Sequence, residues 1–212
     1  MENSAQSRTL RQTRSRPDVQ ACIRQCAAST QALLRAVLVR VGRLSRPSWH
    51  ILSCRAIGGG GTTLCMKIVH TSDWQIGRTF SFVDDDALGA LQAERLNVIG
   101  RIGTLARQEG AAHVLVAGDV YEYETPSERT LRQPMERMRQ FADITWHLVP
   151  GNHDAHTPQG VWNRLLRDNA VPENVVLHLE PGPVQLAGAD HAWLLPAVLL
   201  RRHTLSDLTA YM

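Results

Sequence analysis

The chain has 212 residues, 43% of them apolar, and a formal net charge of +3, enough for one α/β domain of ordinary size or for a domain and a tail. No apolar run approaches the length that spans a membrane, and the four cysteines have neither CxxC spacing nor the pattern of a disulfide-built scaffold. The charge is uneven: residues 1–65 hold ten Arg against Glu2 and Asp18, a net of +8, whereas residues 66–212 carry a net of −5.

Residues 1–65, which also contain all four cysteines (Cys22, Cys26, Cys54, Cys65), admit three readings. An Arg- and Ser-rich stretch poor in acids has the composition of a transit peptide. "ACIRQCAASTQALLRAVLVRVGRL" has the make-up of a basic amphipathic helix for a membrane surface or nucleic acid. The third reading is a loose or non-native extension upstream of a natural start at Met66. The glycine-rich break "GGGGTT" (Gly58 to Thr63) immediately before "MKIVHTSD" favours the third. Residues 1–65 are therefore expected to be disordered and dispensable, with the folded body at 66–212.

In the body, "KIVHTS" (67–72) predicts a buried strand ending at Asp73. Asp84-Asp85-Asp86 offers an N-cap and favourable charge for a helix start. Leu88, Leu91, Val98, Ile102 and Leu105 then recur on one helical face, and Gly110 is placed to end the helix. "HVLVAG" (113–118) predicts the second strand, ending at Asp119. Thr125-Pro126-Ser127-Glu128 fits a capping box with Pro126 at the first helical position. The helix it opens should reach about Phe141, with a kink or split at Pro134.

"ITWHLV" (144–149) predicts the third strand and delivers Gly151-Asn152-His153-Asp154. A short helix over Val161 to Arg167 follows, then strand-like "NVVLHL" (174–179) and "HAWLLP" (191–196), and a helix-like stretch around His203. Alternating strands and helices of these lengths predict βαβ units and a largely parallel sheet. In such sheets ligands gather at the carboxyl ends of strands, where Asp73, Asp119 and Asn152-His153 all fall. In isolation a Gly-Asn-His-Asp run is a turn; at the third of three similar strand ends it is the wall of a site.

Asp73, Asp119 and Asn152 offer oxygen donors and no thiolate, a set suited to hard or borderline cations such as Mn²⁺ or Mg²⁺. A carboxylate shared by two ions about 3.5–4 Å apart serves phosphoryl hydrolysis by stabilising the attacking and leaving oxygens. His153, beside a donor, is placed to give a proton to phosphoryl oxygens or to stabilise their charge.

"HTSDWQIG", "VAGDVYE" and "VPGNHD" resemble successive motifs of the calcineurin-like metallophosphoesterases, D-x-H, G-D-x-x-(D/E) and G-N-H-(D/E). Within that superfamily, "MKIVHTSDWQIGR", the "TPS" after the second motif and "WLLPAVLLRRHTLSDLT" are most similar to the SbcD-like DNA repair exonucleases. The resemblance implies an α/β metallophosphoesterase fold over residues 66–212. It also implies two divalent ions, most readily Mn²⁺, with DNA ends as substrate and an SMC-like ATPase subunit as partner, in the cytoplasm; a homodimer is compatible with it.

By position, the resemblance makes Asp73 a ligand of the first metal, Asp119 the bridge and Asn152 a ligand of the second, with His153 as the catalytic acid. Gln75 stands where the family has a histidine, either as an amide ligand or as an ordinary loop residue. The later metal-binding histidines and the G-H-x-H motif have no counterpart in the sequence, so the chain is expected to hold part of the metal site, as a domain truncated at its C-terminus.

Glu122 is expected to orient the loop, and Asp154 to support it by hydrogen bonding. His70, His156, His178, His191 and His203 are expected to be structural or surface histidines, and Arg129, Arg132, Arg137 and Arg139 to lie on a solvated helix face. Two alternatives accompany the exonuclease: a phosphatase or nucleotide phosphodiesterase acting on small molecules, which the acidic body favours, and a non-catalytic binding subunit, which Gln75 favours.

Overall fold

Four short apolar runs form the parallel part of a five-stranded sheet, each delivering its carboxyl end to the same edge of the molecule. The structure, a computed structural model, describes residues 49–57, 63–80, 84–188, 192–205 and 207–211. The described residues all belong to one compact unit, Leu34–Met212. The basic segment through residue 48, the glycine-rich stretch 58–62 and His191 lie outside them.

The strands are β1 (Trp49–Ile57), β2 (Thr63–Thr71), β3 (His113–Ala117), β4 (Thr145–Val149) and β5 (Val175–Leu177), adjacent in that order. β2 to β5 run parallel, and β1 lies antiparallel on β2, from Trp49 opposite Thr71 to Ile57 opposite Thr63. A two-residue pair, β6 (Val184–Gln185) and β7 (Trp193–Leu194), forms a separate ladder. Among the described residues no helix is long and apolar enough to cross a membrane.

β1 and the first three residues of β2 lie upstream of Met66. The sheet starts upstream of that residue, because the break in charge and cysteine use does not coincide with a break in backbone pairing. The five residues between β1 and β2 have the length of a hairpin connection, so the glycine run that has the composition of a linker joins two paired strands.

Helix α1 (Asp85–Glu109) is capped by the Asp84 carboxylate, which accepts from the Ala87 N–H at 2.8 Å. It ends at Gly110, whose left-handed φ of 66° closes the last turn. Its buried face is Val98, Ile99, Ile102, Gly103 and Ala106, whereas Leu91 is exposed; the periodicity is right only in the half that meets the sheet. A Cβ at Gly103 would sit 2.6 Å from the Phe141 ring, so the small residue sets how closely that ring approaches.

Helix α2 (Glu128–Arg139) begins two residues later than expected. Ser127, not Thr125, is the cap, its Oγ accepting from the Thr130 N–H at 3.2 Å, and Pro126 precedes the helix. The helix runs unbroken through the buried Pro134. Arg132 pairs with Glu128 and Arg139 with Glu136 on its exposed face. Helix α3 (Val161–Arg167) has its expected bounds, but residues 201–205 form bends and irregular backbone in place of the expected helix around His203.

One face of the sheet packs Val69, Val114, Val116, Trp146, Leu148 and Val175 against both long helices. The other carries a row of histidines. His113 Nε2 faces the Ala187 carbonyl at 3.0 Å, His113 Nδ1 faces His147 Nε2 at 3.0 Å, and His147 Nδ1 faces His178 Nε2 at 3.0 Å. A carbonyl can only accept, so it fixes the proton on His113 Nε2. Each further link then takes the same tautomer, and all three rings are satisfied while neutral.

Burial, followed by the charges of His178 and His113, pushes His147 down to about 4, and burial also lowers His178. An unfolded His147 protonates near 6.5. Between those values the unfolded chain binds a proton that the native chain refuses, so stability is full above about pH 6.5 and lost as pH falls towards 4. This residue alone should account for about 3 kcal/mol, and a urea midpoint that stays flat across this window would contradict the neutral row. The strand pairing has its own test. A chain starting at Met66 loses β1 and uncovers the edge of β2, and its thermal midpoint is expected to fall by more than about 5 °C, of order 1 kcal/mol; an unchanged midpoint would show that β1 adds nothing.

Candidate metal centre

Each of the three loops at the carboxyl edge is pinned by a buried side chain, leaving polar residues on either side to face outwards. In the loop after β2 the pin is Trp74, only 3% exposed, with its indole N–H donating to Thr71 Oγ1 at 3.1 Å and its ring edge-on to Trp146. Asp73 and Gln75 flank it, with φ of 59° and 47°. In the loop after β3, Val120 and Tyr121 are fully buried, and the Tyr121 hydroxyl donates to the Leu131 carbonyl at 2.6 Å. Asp119 precedes them with φ of 56°.

Left-handed backbone costs about 1–2 kcal/mol for an ordinary L-residue. Among the described residues only four non-glycines adopt it. Asn169, Asp73 and Asp119 are of types that visit this region more readily than most and Gln75 is not; Asp73, Gln75 and Asp119 are all candidate site residues.

The first two loops are zipped by backbone. Asp73 N donates to Gly118 O at 3.2 Å, Gln75 N to Asp119 O at 2.8 Å, Ile76 N to Val120 O at 2.8 Å and Glu122 N to Ile76 O at 3.1 Å. The third loop is held by Asp154, which is fully buried. Its Oδ1 accepts from Gly151 N at 2.6 Å and Asp119 N at 3.3 Å, and its Oδ2 from Tyr121 N at 3.1 Å. Burial pushes this carboxyl up to about 6 against the pull of the surrounding N–H groups, and the charge of Asp119 adds to the rise. The Trp162 indole donates to the Asp154 carbonyl from α3.

These contacts bring Asp119 against Asn152 and His153. Asp119 Oδ1 accepts from the His153 N–H at 2.9 Å. His153 Nδ1 lies 3.2 Å from the Glu122 carbonyl and 3.9 Å from Glu122 Oε2. Since the carbonyl only accepts, Nδ1 carries the proton and Nε2 is left for a ligand. Glu122 Oε2 is buried without a hydrogen-bond partner. Asn152 and Asp73 are exposed, and Asp119 is buried. Gln75 differs, because its amide oxygen, the only atom with which it could ligate a metal, accepts from the Arg78 guanidinium.

Two expected donors, Asp73 and Asp119, are thus carried on zipped loops, and Asn152 on the third loop is joined to them through His153 and Asp154. All offer oxygen, which fits a hard divalent ion, and the absence of a Cβ at Gly151 leaves room for the Asp119 carboxylate. Among the described residues, no three His, Cys, Asp or Glu side chains are grouped to hold a metal. His156 is tied to the Leu179 carbonyl, and His178 to the histidine row. The motifs alone do not single out Trp74, Tyr121 or Arg78, although two large aromatics beside the motif carboxylates are a visible sign of anchored loops.

A cavity of about 420 Å³ lies beside these loops, lined by Asp119, Gly151 and Asn152, by His70 and His147 from the sheet, and by the Leu194–Leu199 segment.

Comparison with known proteins matches residues 66–198 to the calcineurin-like phosphoesterase family. Among curated proteins, the chain is 23% identical over 126 residues to the SbcD component of the SbcCD nuclease of Staphylococcus epidermidis, a match that covers 58% of this chain and 32% of that protein. The chain therefore matches about a third of the length of that relative.

Close backbone contact between the second and third loops yields a direct test. A Cβ at Gly151 would lie 2.2 Å from Asp119 Oδ1 and 2.3 Å from Asp119 N. Gly151→Ala is expected to push the two strand ends apart and cost about 1–3 kcal/mol of stability in urea unfolding. A wild-type midpoint would show that the loops separate freely.

Proposed function

The chain belongs to the calcineurin-like phosphoesterase family, and from that premise we propose that it is a metal-dependent phosphodiesterase acting on DNA ends. The observation that carries this reading is the left-handed backbone at Asp73, Gln75 and Asp119. Strain of this kind persists where the surrounding structure fixes it, and it clusters at catalytic loops. Asp73, Asp119 and Asn152 would hold divalent ions, most readily two Mn²⁺ with Asp119 shared. Gln75 would join the first ion only on release from Arg78. A bound divalent cation supplies Lewis-acid polarisation of a phosphoryl oxygen.

The chain's own contribution follows from the hydrogen bonds. The His153 N–H fixes one Asp119 oxygen and so orients the carboxylate. The Glu122 carbonyl fixes the His153 ring through its Nδ1–H, so that Nε2 is the nitrogen left for the phosphoryl group; in the imidazolium form its second proton would pass to that group or to its leaving oxygen. Asp154 is the supporting residue that holds the backbone of both loops. We further propose, on the likeness to a protein named as part of a nuclease, that the chain works with an SMC-like ATPase subunit in the cytoplasm, and that it pairs as a homodimer. The net charge of −5 over residues 66–212 favours a second reading, a phosphatase or phosphodiesterase for small molecules, because nucleic-acid contacts usually leave a basic footprint.

Asp119→Asn is expected to abolish Mn²⁺ binding in calorimetry. His153→Ala should bind Mn²⁺ as the wild type does and turn over about 10²–10⁴-fold more slowly. Loss of metal in His153→Ala would overturn the division of roles. Linear duplex DNA offered beside a chromogenic phosphodiester separates the nuclease from the small-molecule enzyme, and Mn²⁺-dependent cleavage of neither would overturn hydrolysis.

A further inference from the structure

Beside the first loop, two arginines share one aromatic ring. The guanidinium of Arg78 lies 5.9 Å from the Phe80 ring centre and that of Arg95, on α1, lies 5.2 Å from it. Both are anchored by neutral acceptors of the same loop: Arg78 donates to the Gln75 amide oxygen, and Arg95 Nη1 donates to the Trp74 carbonyl at 2.8 Å.

Neither has an ion-pair partner among the described residues, as is also true of Arg129 and Arg137, but Arg78 and Arg95 are partly buried whereas those two lie on the exposed face of α2. Burial and the charge of Arg78 weaken the hold of Arg95 on its proton; Glu122 acts in the opposite sense without reaching ion-pair distance. Two like charges are therefore held against one ring, and an anion that reaches them offsets the repulsion that Arg95 feels from Arg78. The second loop adds Tyr123, 47% exposed, whose hydroxyl is bonded to Thr79 Oγ1 at 3.1 Å. A large ring is thus pinned at its polar end.

We propose that Arg78, Phe80, Arg95 and Tyr123 form a binding strip for single-stranded nucleic acid along the edge of the metal loops. The guanidiniums held on Phe80 take backbone phosphates through their N–H donors, and the half-exposed Tyr123 ring takes a base by stacking, which any base sequence satisfies. The strip deepens the proposed nuclease function, whose substrate it would deliver to Asp119 and His153, and it needs no bound metal to operate.

The test is fluorescence anisotropy with a labelled oligothymidylate in EDTA, so that neither metal nor cleavage contributes. The wild type is expected to bind. Arg95→Gln should weaken binding by roughly tenfold and lower the slope of log affinity against log salt by about 0.7, the share of one phosphate contact on a single strand. Tyr123→Ala, at an exposed position, should weaken binding severalfold and leave that slope unchanged, and it serves should Arg95→Gln fail to fold. Arg139→Gln, on the exposed face of α2, should bind as the wild type does. Absence of wild-type binding, wild-type affinity in both strip variants, or an equal loss in Arg139→Gln would overturn the strip. Inorganic phosphate competing as well as the oligonucleotide would reduce it to a simple anion site and also overturn it. Binding without any phosphodiester cleavage would keep the strip and remove the proposed function; cleavage of a chromogenic diester without binding would do the reverse.

Discussion

The Asp154 carboxylate ties the ends of β3 and β4 together by accepting the N–H groups of Gly151, Asp119 and Tyr121 from inside the protein. Without it, three buried donors would lack partners, each at a cost of about 1–3 kcal/mol. With it, the loops after β3 and β4 are joined into one object. The glycines at 118 and 151 allow that approach, since a Cβ on either would meet the other loop within 2.7 Å. Everything proposed for Asp119, Asn152 and His153 presupposes this buried acid, which itself faces away from solvent and substrate.

Around that junction the functional side chains are placed by subtraction. Trp74, Val120 and Tyr121 take the inward positions of their loops, and the backbone turns left-handed so that the neighbouring carboxylates can leave the core. The opposite face of the sheet solves a different problem. There three histidines are buried without a counter-charge by linking donor to acceptor from a single carbonyl. One region gathers the carboxylates of Asp73 and Asp119, and the other keeps titratable groups neutral next to it, with His147 lining the cavity that also borders Asp119.

Much of this is legible in the sequence. The strands at 113–117 and 145–149, the Asp84 cap, the Gly110 stop and the short helix at Val161–Arg167 follow from local periodicity and capping chemistry. The strand-end motifs also identify the residues that the loops bring together. What is not legible depends on long-range contact. Pairing of β1 with β2 is a backbone event that charge statistics do not report. Ser127 caps α2 although Thr125 has the same chemistry. The histidine row needs the strand register, since residues 113, 147 and 178 are neighbours only across the sheet. The engagement of Gln75 by Arg78 depends on rotamers, which no motif encodes.

The left-handed backbone at Asp73, Gln75 and Asp119 also bears on what substitution there would do. Glycine adopts that conformation without steric penalty, so at these positions stability and chemistry pull in opposite directions. Glycine at any of the three would relieve the backbone, most of all at Gln75, the one residue of the three whose type rarely visits this region. Each position therefore sets a conformational cost against the side chain it presents, and Gln75 bears the largest share of that cost.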